Sequence, residues 1–322
     1  MAAHLLTLPL ELREMIYEAL FSSFTVSHGF GRRTDDHRTA LLRTCRQINQ
    51  EAWRFLPLNI KFHFFGTESM LETLLDANQS VITRIRHIRI KAFPFPLYAT
   101  GRADYYPTYF FHNALALLPG LNLERLVVED SFHGHGLVEG WRDVVTYFDI
   151  EGLIKCDGWK ELEYITPNPD FITSGYDHRR KRVAQPENWD SLLKERDGDT
   201  SGAEVRMFIT VVPKPSEGAK GKQIPRPWAA RPGQEVAENW RLSTPEQELK
   251  GEVSIVARRG RRAHYVQTGL SENMSWRDLK YRERGFIRKD WQPYSNDMAD
   301  AVSWVYGGWG RRMHLADRAL NS

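Results

Sequence analysis

The first part of the chain carries hydrophobic residues at helical spacing. After Pro9 they recur every three or four positions, which predicts a helix that ends near Phe21 and Ser22. Proline is favoured at the first position of a helix, because the N–H group that it lacks has no helical partner there. The hydrophobic stripe of this helix consists of Leu12, Met15, Ile16, Ala19 and Leu20.

A second helical stripe follows a polar segment. Residues 23–38 are rich in glycine, arginine and aspartate, which is typical of a loop. The apolar residues that come next stay on a single helical face, so they predict a second helix, which we expect Pro57 to end. Its stripe consists of Leu41, Cys45, Ile48, Ala52, Phe55 and Leu56.

Beyond this point the hydrophobic period changes. The alternation over Ile60–Phe64 predicts a strand, and helical spacing returns over residues 68–78. One apolar template then occurs three times, with hydrophobic residues at its first, fourth and sixth positions. Its copies are Ile85-x-x-Ile88-x-Ile90, Leu123-x-x-Leu126-x-Val128 and Trp159-x-x-Leu162-x-Tyr164.

Helical segments are predicted between the copies of this template, over residues 105–118 and 138–154. Strands and helices that alternate at a steady interval are typical of stacked α/β units. The template is similar to the L-x-x-L-x-L core of leucine-rich repeats, although its interval exceeds the roughly 20–29 residues of the regular class. Any parallel α/β sheet also gives apolar strands at such intervals, so both architectures stay open. We favour an irregular βα array.

The last part of the chain is less regular. Strands are predicted over Val205–Val212 and Val253–Ala257, where β-branched residues are frequent. Prolines and glycines after the first of these strands predict a flexible insertion over about 213–250. The tail from residue 272 onward contains tryptophans, which favour its packing onto the rest of the protein. They are Trp276, Trp291, Trp304 and Trp309.

Composition argues against several classes of protein. Lysine and arginine number 44 against 41 aspartates and glutamates, and a net charge of +3 is too weak to favour nucleic acid or an anionic membrane as partner. Two cysteines predict neither a disulfide framework nor a zinc site. We expect neither a signal peptide nor a membrane helix, which needs ~18 apolar residues in a row. The expected location is the cytoplasm, the nucleus or both.

Catalytic chemistry finds little support in the sequence, so we expect no enzyme, no cofactor and no metal. His133 and His135 lie in a glycine-rich stretch that lacks the ligand spacing of a metal site. Two arginine-rich runs, 178–182 and 258–262, are interpreted either as solvated loops or as nuclear-import or phosphate-facing patches. With Tyr265 and Trp276 nearby, they leave nucleic-acid binding as a third and weaker hypothesis.

The two N-terminal helical segments also carry a motif pair. LPLELREMIY at residues 8–17 resembles the L-P-x-E-[LI]-x-x-x-I opening of F-box domains, and LLRTCRQINQEA at residues 41–52 resembles the later F-box helix. The pair is similar to that of a large set of fungal F-box-like proteins. A phenylalanine-rich strand follows the pair in that group, as it does here at residues 59–65. The resemblance covers about residues 5–92.

This resemblance implies a docking function. In the F-box family the helical module binds the Skp adaptor of a cullin–RING ubiquitin ligase, while the rest of the chain captures a protein substrate. The residues that fall on the adaptor-facing motif are Leu8, Pro9, Glu11, Leu12 and Ile16. The alternative is a non-ligase scaffold or binding protein whose F-box-like helices pack intramolecularly, because a two-helix unit cannot bury both of its stripes alone.

Together the patterns predict a mixed α/β fold with two parts. Residues 1–57 would form the F-box-like helical module, and residues 58–322 an α/β partner-binding body built as an irregular, leucine-rich-repeat-like βα array. The expected partners are a Skp-type adaptor and a protein substrate of open identity. The two hypotheses differ in one observable property: docking requires an exposed apolar patch on the helix after Pro9, whereas intramolecular packing requires that helix to be buried.

Overall fold

The structure is a computed structural model that describes residues 5–28, 36–93, 95–96, 108–131, 141–167, 175–176, 182–183, 188–210, 233–237 and 252–269. Its α-helices are α1 (Leu10–Ser22), α2 (Arg46–Ala52), α3 (Leu56–Asn59), α4 (Thr67–Leu75), α5 (Gln79–Ile82), α6 (His112–Ala116), α7 (Trp141–Lys155) and α8 (Trp189–Asp197). Two stretches of 3-10 helix lie at Leu5–Thr7 and Asp36–Arg43.

The strands are β1 (Thr25–His28), β2 (Lys61–Phe64), β3 (His87–Ala92), β4 (Phe95–Pro96), β5 (Thr108–Tyr109), β6 (Leu123–Asp130), β7 (Trp159–Thr166), β8 (Gly175–Tyr176), β9 (Arg182–Val183), β10 (Glu204–Thr210), β11 (Gln234–Val236) and β12 (Glu252–Arg258). Eight of them form one mixed sheet in the order β1-β2-β3-β6-β7-β12-β10-β11. The first five are parallel, and the last three are antiparallel. The mixed α/β class is therefore confirmed.

The repeated hydrophobic template forms the middle of this sheet. Its three copies lie in adjacent parallel strands and in matching register, so that Leu126 is opposite both Ile88 and Leu162. Val128 is likewise opposite Ile90 and Tyr164. These side chains are almost completely buried. Neighbouring side chains on one face of a sheet contact each other directly. The three copies of the template therefore form one continuous apolar face.

The helices α4 to α8 cover that apolar face. Their buried residues belong to the same hydrophobic core as the template positions. The parallel strands β2, β3, β6 and β7 follow one another across the sheet in chain order. Crossovers between parallel strands are right-handed as a rule, so strands in this order are expected to have their connecting helices on one side. The predicted helix over 138–154 is confirmed as α7 over the part that the structure describes, and the strand at Val253–Ala257 as β12.

The second N-terminal helix was predicted wrongly as one continuous element. The stripe over residues 41–56 is divided among a 3-10 segment, α2 and α3. Cys45 is extended, with φ −157° and ψ 163°, and it precedes α2 instead of lying inside it. Pro57 lies in the first turn of α3 rather than ending a helix, because a proline is tolerated in the first turn, where N–H groups have no helical acceptor.

Three further predictions need correction. The predicted loop over residues 23–38 contains β1, which pairs in parallel with β2. The predicted helix over 105–118 is reduced, in the described residues, to the short α6, and β5 precedes it. The predicted flexible insertion over 213–250 includes β11, which pairs with β10. The tail from residue 272 and most of that insertion lie outside the described residues.

A second, smaller core lies beneath the N-terminal helices. It contains Tyr17, Phe21, Phe24, Ile48, Ala52 and Ile60. Phe62 of β2 packs against both this core and the main one. The pairing of β1 with β2 also joins residues on either side of position 57, so the N-terminal helices are attached to the edge of the sheet.

Candidate docking surface

Helix α1 buries one face and leaves several apolar side chains exposed on the other. Arg13, Tyr17 and Phe21 are its buried residues, and they recur at the spacing of one helical face. On the opposite side Leu12 is 46% exposed, Met15 65% and Ile16 41%. The apolar residues of α1 are thus divided: Tyr17 and Phe21 face the core, as is usual for a surface helix, whereas most of the stripe predicted from the sequence faces solvent.

A bidentate ion pair allows α1 to bury a guanidinium. Arg13 donates to both carboxylate oxygens of Glu51, from Nε at 2.9 Å and from Nη2 at 2.7 Å. Its Nη1 donates to the carbonyl oxygen of Leu8 at 2.5 Å. A buried cation is tolerated only when its N–H groups find acceptors, and this parallel geometry is the strongest that an arginine and a carboxylate can form.

Two further groups complete the contact between α1 and α2. The Tyr17 hydroxyl donates to Glu51 at 3.0 Å, and the Gln47 amide donates to the same carboxylate at 3.0 Å. Hydrogen bonds from Arg13 and Gln47 lower the pKa of Glu51 to about 2. Burial, together with the hydrogen bond to Glu51, raises the pKa of Tyr17. We call Arg13, Tyr17, Gln47 and Glu51 the α1–α2 clasp.

The residues predicted to face an adaptor are distributed around the start of α1. Pro9 and Glu11 are exposed, and Leu8 is partly buried where its carbonyl group accepts from Arg13. Leu12 and Ile16 lie four residues apart on the exposed face, and Met15 lies between them. We define the α1 face as Leu12, Met15 and Ile16. Of the residues that the alternative hypothesis places in a core, Ile48 is buried, but Cys45 is exposed.

The clasp was missed from the sequence, although its members lie inside the motif pair. The detectable signal was the conjunction of Arg13 and Tyr17 four residues apart with a single glutamate, Glu51, at the end of the second motif. To predict the clasp from these residues, one must know that the two helices lie side by side. Hydrophobic periodicity carries no information on how two helices pack.

Exposed apolar side chains are concentrated on α1. In the described parts of the chain, six large hydrophobic residues are exposed, and four of them belong to this helix. Scattered single residues of this kind are normal, whereas a cluster on one element is typical of an interaction site. The six residues are Leu10, Leu12, Met15, Ile16, Trp53 and Phe148.

A buried histidine–aspartate pair lies between α6 and α7. His112 Nδ1 is 3.1 Å from Asp149 Oδ1, and the His112 backbone N–H donates to the same oxygen at 2.8 Å. Burial raises the pKa of Asp149. A Cβ atom added to Gly152 would come within 2.3 Å of His112 Nδ1, so the imidazole ring packs directly on the backbone of α7. This packing identifies the pair as a joint between two helices.

The structure describes only part of the histidine and arginine segments that the sequence analysis considered as candidate sites. Within the described ranges no group of three or more histidine, cysteine, aspartate or glutamate side chains could hold a metal ion, and His133 and His135 lie outside those ranges. In the run 258–262, Arg259 is buried against Asp197, whereas Arg261 and Arg262 are exposed. The side chains of the run 178–182 are not among those described.

A cleft of about 410 Å³ lies between α8 and the edge strand β11. Trp189 and Met207 form its apolar part, and Asp190, Glu204 and Arg206 are among its charged residues. Charges of both signs already pair within it, as Lys194 does with Asp190. The cleft therefore presents no single charge to a ligand.

No helix in the described part of the chain has the length and apolar character needed to cross a membrane. Comparison of the chain with models of protein families, with curated proteins and with solved structures found no match.

Proposed function

We propose that this protein is a non-enzymatic substrate receptor that docks onto the Skp-type adaptor of a cullin–RING ubiquitin ligase through α1. The observation that carries the proposal is the exposure of the α1 face, on the helix whose sequence resembles the opening motif of F-box domains. The body that follows would hold the protein substrate. No cofactor enters this function.

The energetics of the α1 face favour a protein partner. Complete burial of one leucine, isoleucine or methionine side chain stabilises a complex by roughly 1.5–3 kcal/mol. Leu12, Met15 and Ile16 therefore supply several kcal/mol to any partner with a complementary apolar groove, before the cost of association is subtracted. An amphipathic helix that inserts three or four apolar residues into a groove is a common mode of recognition.

The α1–α2 clasp supports this proposal because it orients the helix. Arg13 and Tyr17 anchor the side of α1 that is opposite to the α1 face, and both bind Glu51. A helix held in this way does not have to be ordered when a partner binds. Preorganisation of this kind lowers the entropic cost of association.

A second candidate function is a scaffold or binding protein without a ligase. Its support is that the other side of α1 packs intramolecularly, through Tyr17 and Phe21 in the smaller core. The exposed α1 face favours the first candidate, because packing of the helices within the chain alone would bury that face.

A binding experiment with the purified Skp-type adaptor tests the proposal. We expect the wild-type chain to bind, and the double variant Leu12→Ala, Ile16→Ala to bind at least about tenfold more weakly, because truncation of a central anchor residue typically costs 1 kcal/mol or more. Phe148→Ala is the matched control. Its ring is 44% exposed, close to the 46% and 41% of Leu12 and Ile16, but it lies on α7.

Circular dichroism establishes that each variant is folded. Absence of binding by folded wild-type protein would reject the receptor function and leave the scaffold function. Equal weakening by Phe148→Ala would reject the assignment of the contact to α1.

A further inference from the structure

A second exposed face lies on α2, and its chemistry differs from that of α1. Arg46, Gln50 and Trp53 recur at positions i, i+4 and i+7, so they lie on one side of the helix. All three are exposed, and Trp53 is 50% exposed. Arg43, the last residue of the 3-10 segment that precedes α2, is exposed as well. We call Arg43, Arg46, Gln50 and Trp53 the α2 face.

The arginines of the α2 face form no ion pair with any carboxylate that the structure describes. In the described part of the chain, most arginines are fixed in ion pairs, as Arg13 is by Glu51, Arg125 by Glu163 and Arg259 by Asp197. Neither Arg43 nor Arg46 takes part in an ion pair among the described residues. The neighbouring Arg54 differs, because it binds Glu14 of α1 and lies 5.1 Å from the centre of the Phe55 ring.

The position of the α2 face separates it from the α1 face. The buried residues of α2 are Ile48 and Ala52, and its contact with α1 runs through Gln47 and Glu51. Arg46 and Trp53 point away from both of these sides by helical geometry. The Glu14–Arg54 ion pair lies between the two helices. A partner could therefore occupy either face without covering the other.

We propose that the α2 face binds an acidic peptide segment of a partner protein. Guanidinium groups bind carboxylates in bidentate geometry, and Arg43 and Arg46 present two such groups on either side of the extended Cys45. An exposed tryptophan next to arginine is the composition that is enriched at the energetic centre of protein interfaces. The indole ring would contact an apolar residue within the acidic segment, so both the charge and the ring contribute.

This inference goes beyond the proposed function, since it concerns another face of the module and does not depend on the identity of the α1 partner. The occupant is identified by charge complementarity. Arginine and tryptophan also suit single-stranded nucleic acid, where bases stack on the indole ring. The α2 face offers one aromatic ring, Trp53, whereas single-stranded nucleic acid is held by several aromatic side chains on which successive bases stack, which favours the peptide.

Fluorescence anisotropy tests the proposal with the full chain and a labelled peptide of about a dozen residues, composed of aspartate and glutamate around one central leucine. We expect Arg43→Gln, Arg46→Gln to weaken binding by about tenfold or more, and Trp53→Ala by a comparable factor, since about 1.4 kcal/mol corresponds to tenfold. The control is Arg261→Gln, Arg262→Gln, which removes the same charge from another exposed pair. It should change binding by less than about twofold, because it leaves the α2 face intact.

Three results would overturn the proposal. They are an absence of peptide binding by the wild-type chain, an equal loss in the control pair, and tighter binding of single-stranded DNA of similar length than of the peptide. The variant Leu12→Ala, Ile16→Ala should bind the peptide as the wild type does. Failure of adaptor binding with retention of peptide binding would therefore reject the proposed function alone.

Discussion

Arg13 is the residue on which the orientation of α1 depends. Its guanidinium is largely removed from water, and desolvation of a charge is unfavourable unless opposite charge and hydrogen bonds compensate. Glu51 and the Leu8 carbonyl provide that compensation. If either helix were rotated to bury Leu12 instead, the ion pair would be broken. The clasp therefore specifies which side of α1 faces solvent, and the hydrophobic stripe remains available to a partner.

Replacement of Glu51 by glutamine should make the free energy of unfolding depend less on pH in the acidic range. The folded pKa of Glu51, about 2, lies below its ordinary value of 4.5, so the carboxylate stabilises the folded state above pH 4.5 and loses this effect as the pH falls to 2. Urea denaturation should show Glu51→Gln to be less stable than wild type at pH 7, with a gap that closes between pH 4.5 and 2. Glu18→Gln, at an exposed position of α1, serves as control and should leave the stability at pH 7 nearly unchanged. A gap that is the same at pH 7 and pH 2 would contradict the contribution of the charge.

The two cysteines should differ in reactivity. Cys45 is exposed, whereas Cys156 is partly buried and its thiol donates to the Leu153 carbonyl oxygen at 3.2 Å. Burial raises the pKa of Cys156 to about 12, so hardly any thiolate exists at pH 8. A disulfide reagent should therefore modify one thiol rapidly in the native protein and both in urea. Cys45→Ser is the control and should abolish the rapid phase; two rapid phases in the native wild type would contradict the expectation.

Among the elements, α8 and β12 are joined by a buried ion pair at their C-terminal ends. The side chains of Arg259 and Asp197 are 2% and 1% exposed, and Arg259 donates to Asp197 from Nε at 2.8 Å and from Nη2 at 2.7 Å. The Gly260 N–H donates to the same carboxylate at 2.8 Å. Arg259 also lies 5.6 Å from the Trp159 ring centre, so the pair is part of the core boundary.

Removal of the cation from this joint should be costly. Arg259→Leu leaves Asp197 buried without its partner, and loss of one member of a buried pair destabilises proteins by about 3–5 kcal/mol. Arg258→Leu is the matched control, because the adjacent Arg258 is exposed and its ion pairs should contribute no more than about 1 kcal/mol. The free energy of unfolding from urea titration measures both. Similar losses for the two variants would contradict the importance of burial.

The accuracy of prediction from the sequence also differs from one element to another. Strands β3, β6 and β7 could be predicted, because the face of the sheet that the helices cover requires an apolar residue at every second position of each strand. Helix α1 could be predicted as a helix, but its buried side could not, since the burial of Arg13 on that side depends on a charge pair formed with residue 51. The subdivision of residues 41–56 was also not predictable, because three short helical pieces can share one apolar stripe. Strand β1 is only four residues long, too short for alternation to be distinguished from loop composition.

On the scale of the whole molecule, the N-terminal helices and the sheet are connected by more than a chain segment. The smaller core shares Phe62 with the main core, and β1 is an edge strand of the large sheet. Cooperative unfolding requires that loss of one part removes contacts from the other. The shared strand pairs and the shared phenylalanine meet this condition, so the helical module should not unfold before the sheet. The division of the chain at residue 57 into a helical module and a partner-binding body remains a prediction about function, while this coupling concerns stability.

A substitution in the smaller core tests the coupling directly. Phe21 is completely buried there, and Phe21→Ala should destabilise the protein by about 3–5 kcal/mol, the usual cost of a large cavity. In urea, tryptophan fluorescence and far-ultraviolet circular dichroism should report one common transition, shifted as a whole to lower concentration. Phe148→Ala, whose ring is exposed, should shift it little. The contrary result for Phe21→Ala would be an additional early transition, with the main transition left in place. That result would show that the helical module unfolds independently of the sheet. The contacts with the sheet edge would then not be what orients the α1 face toward a partner.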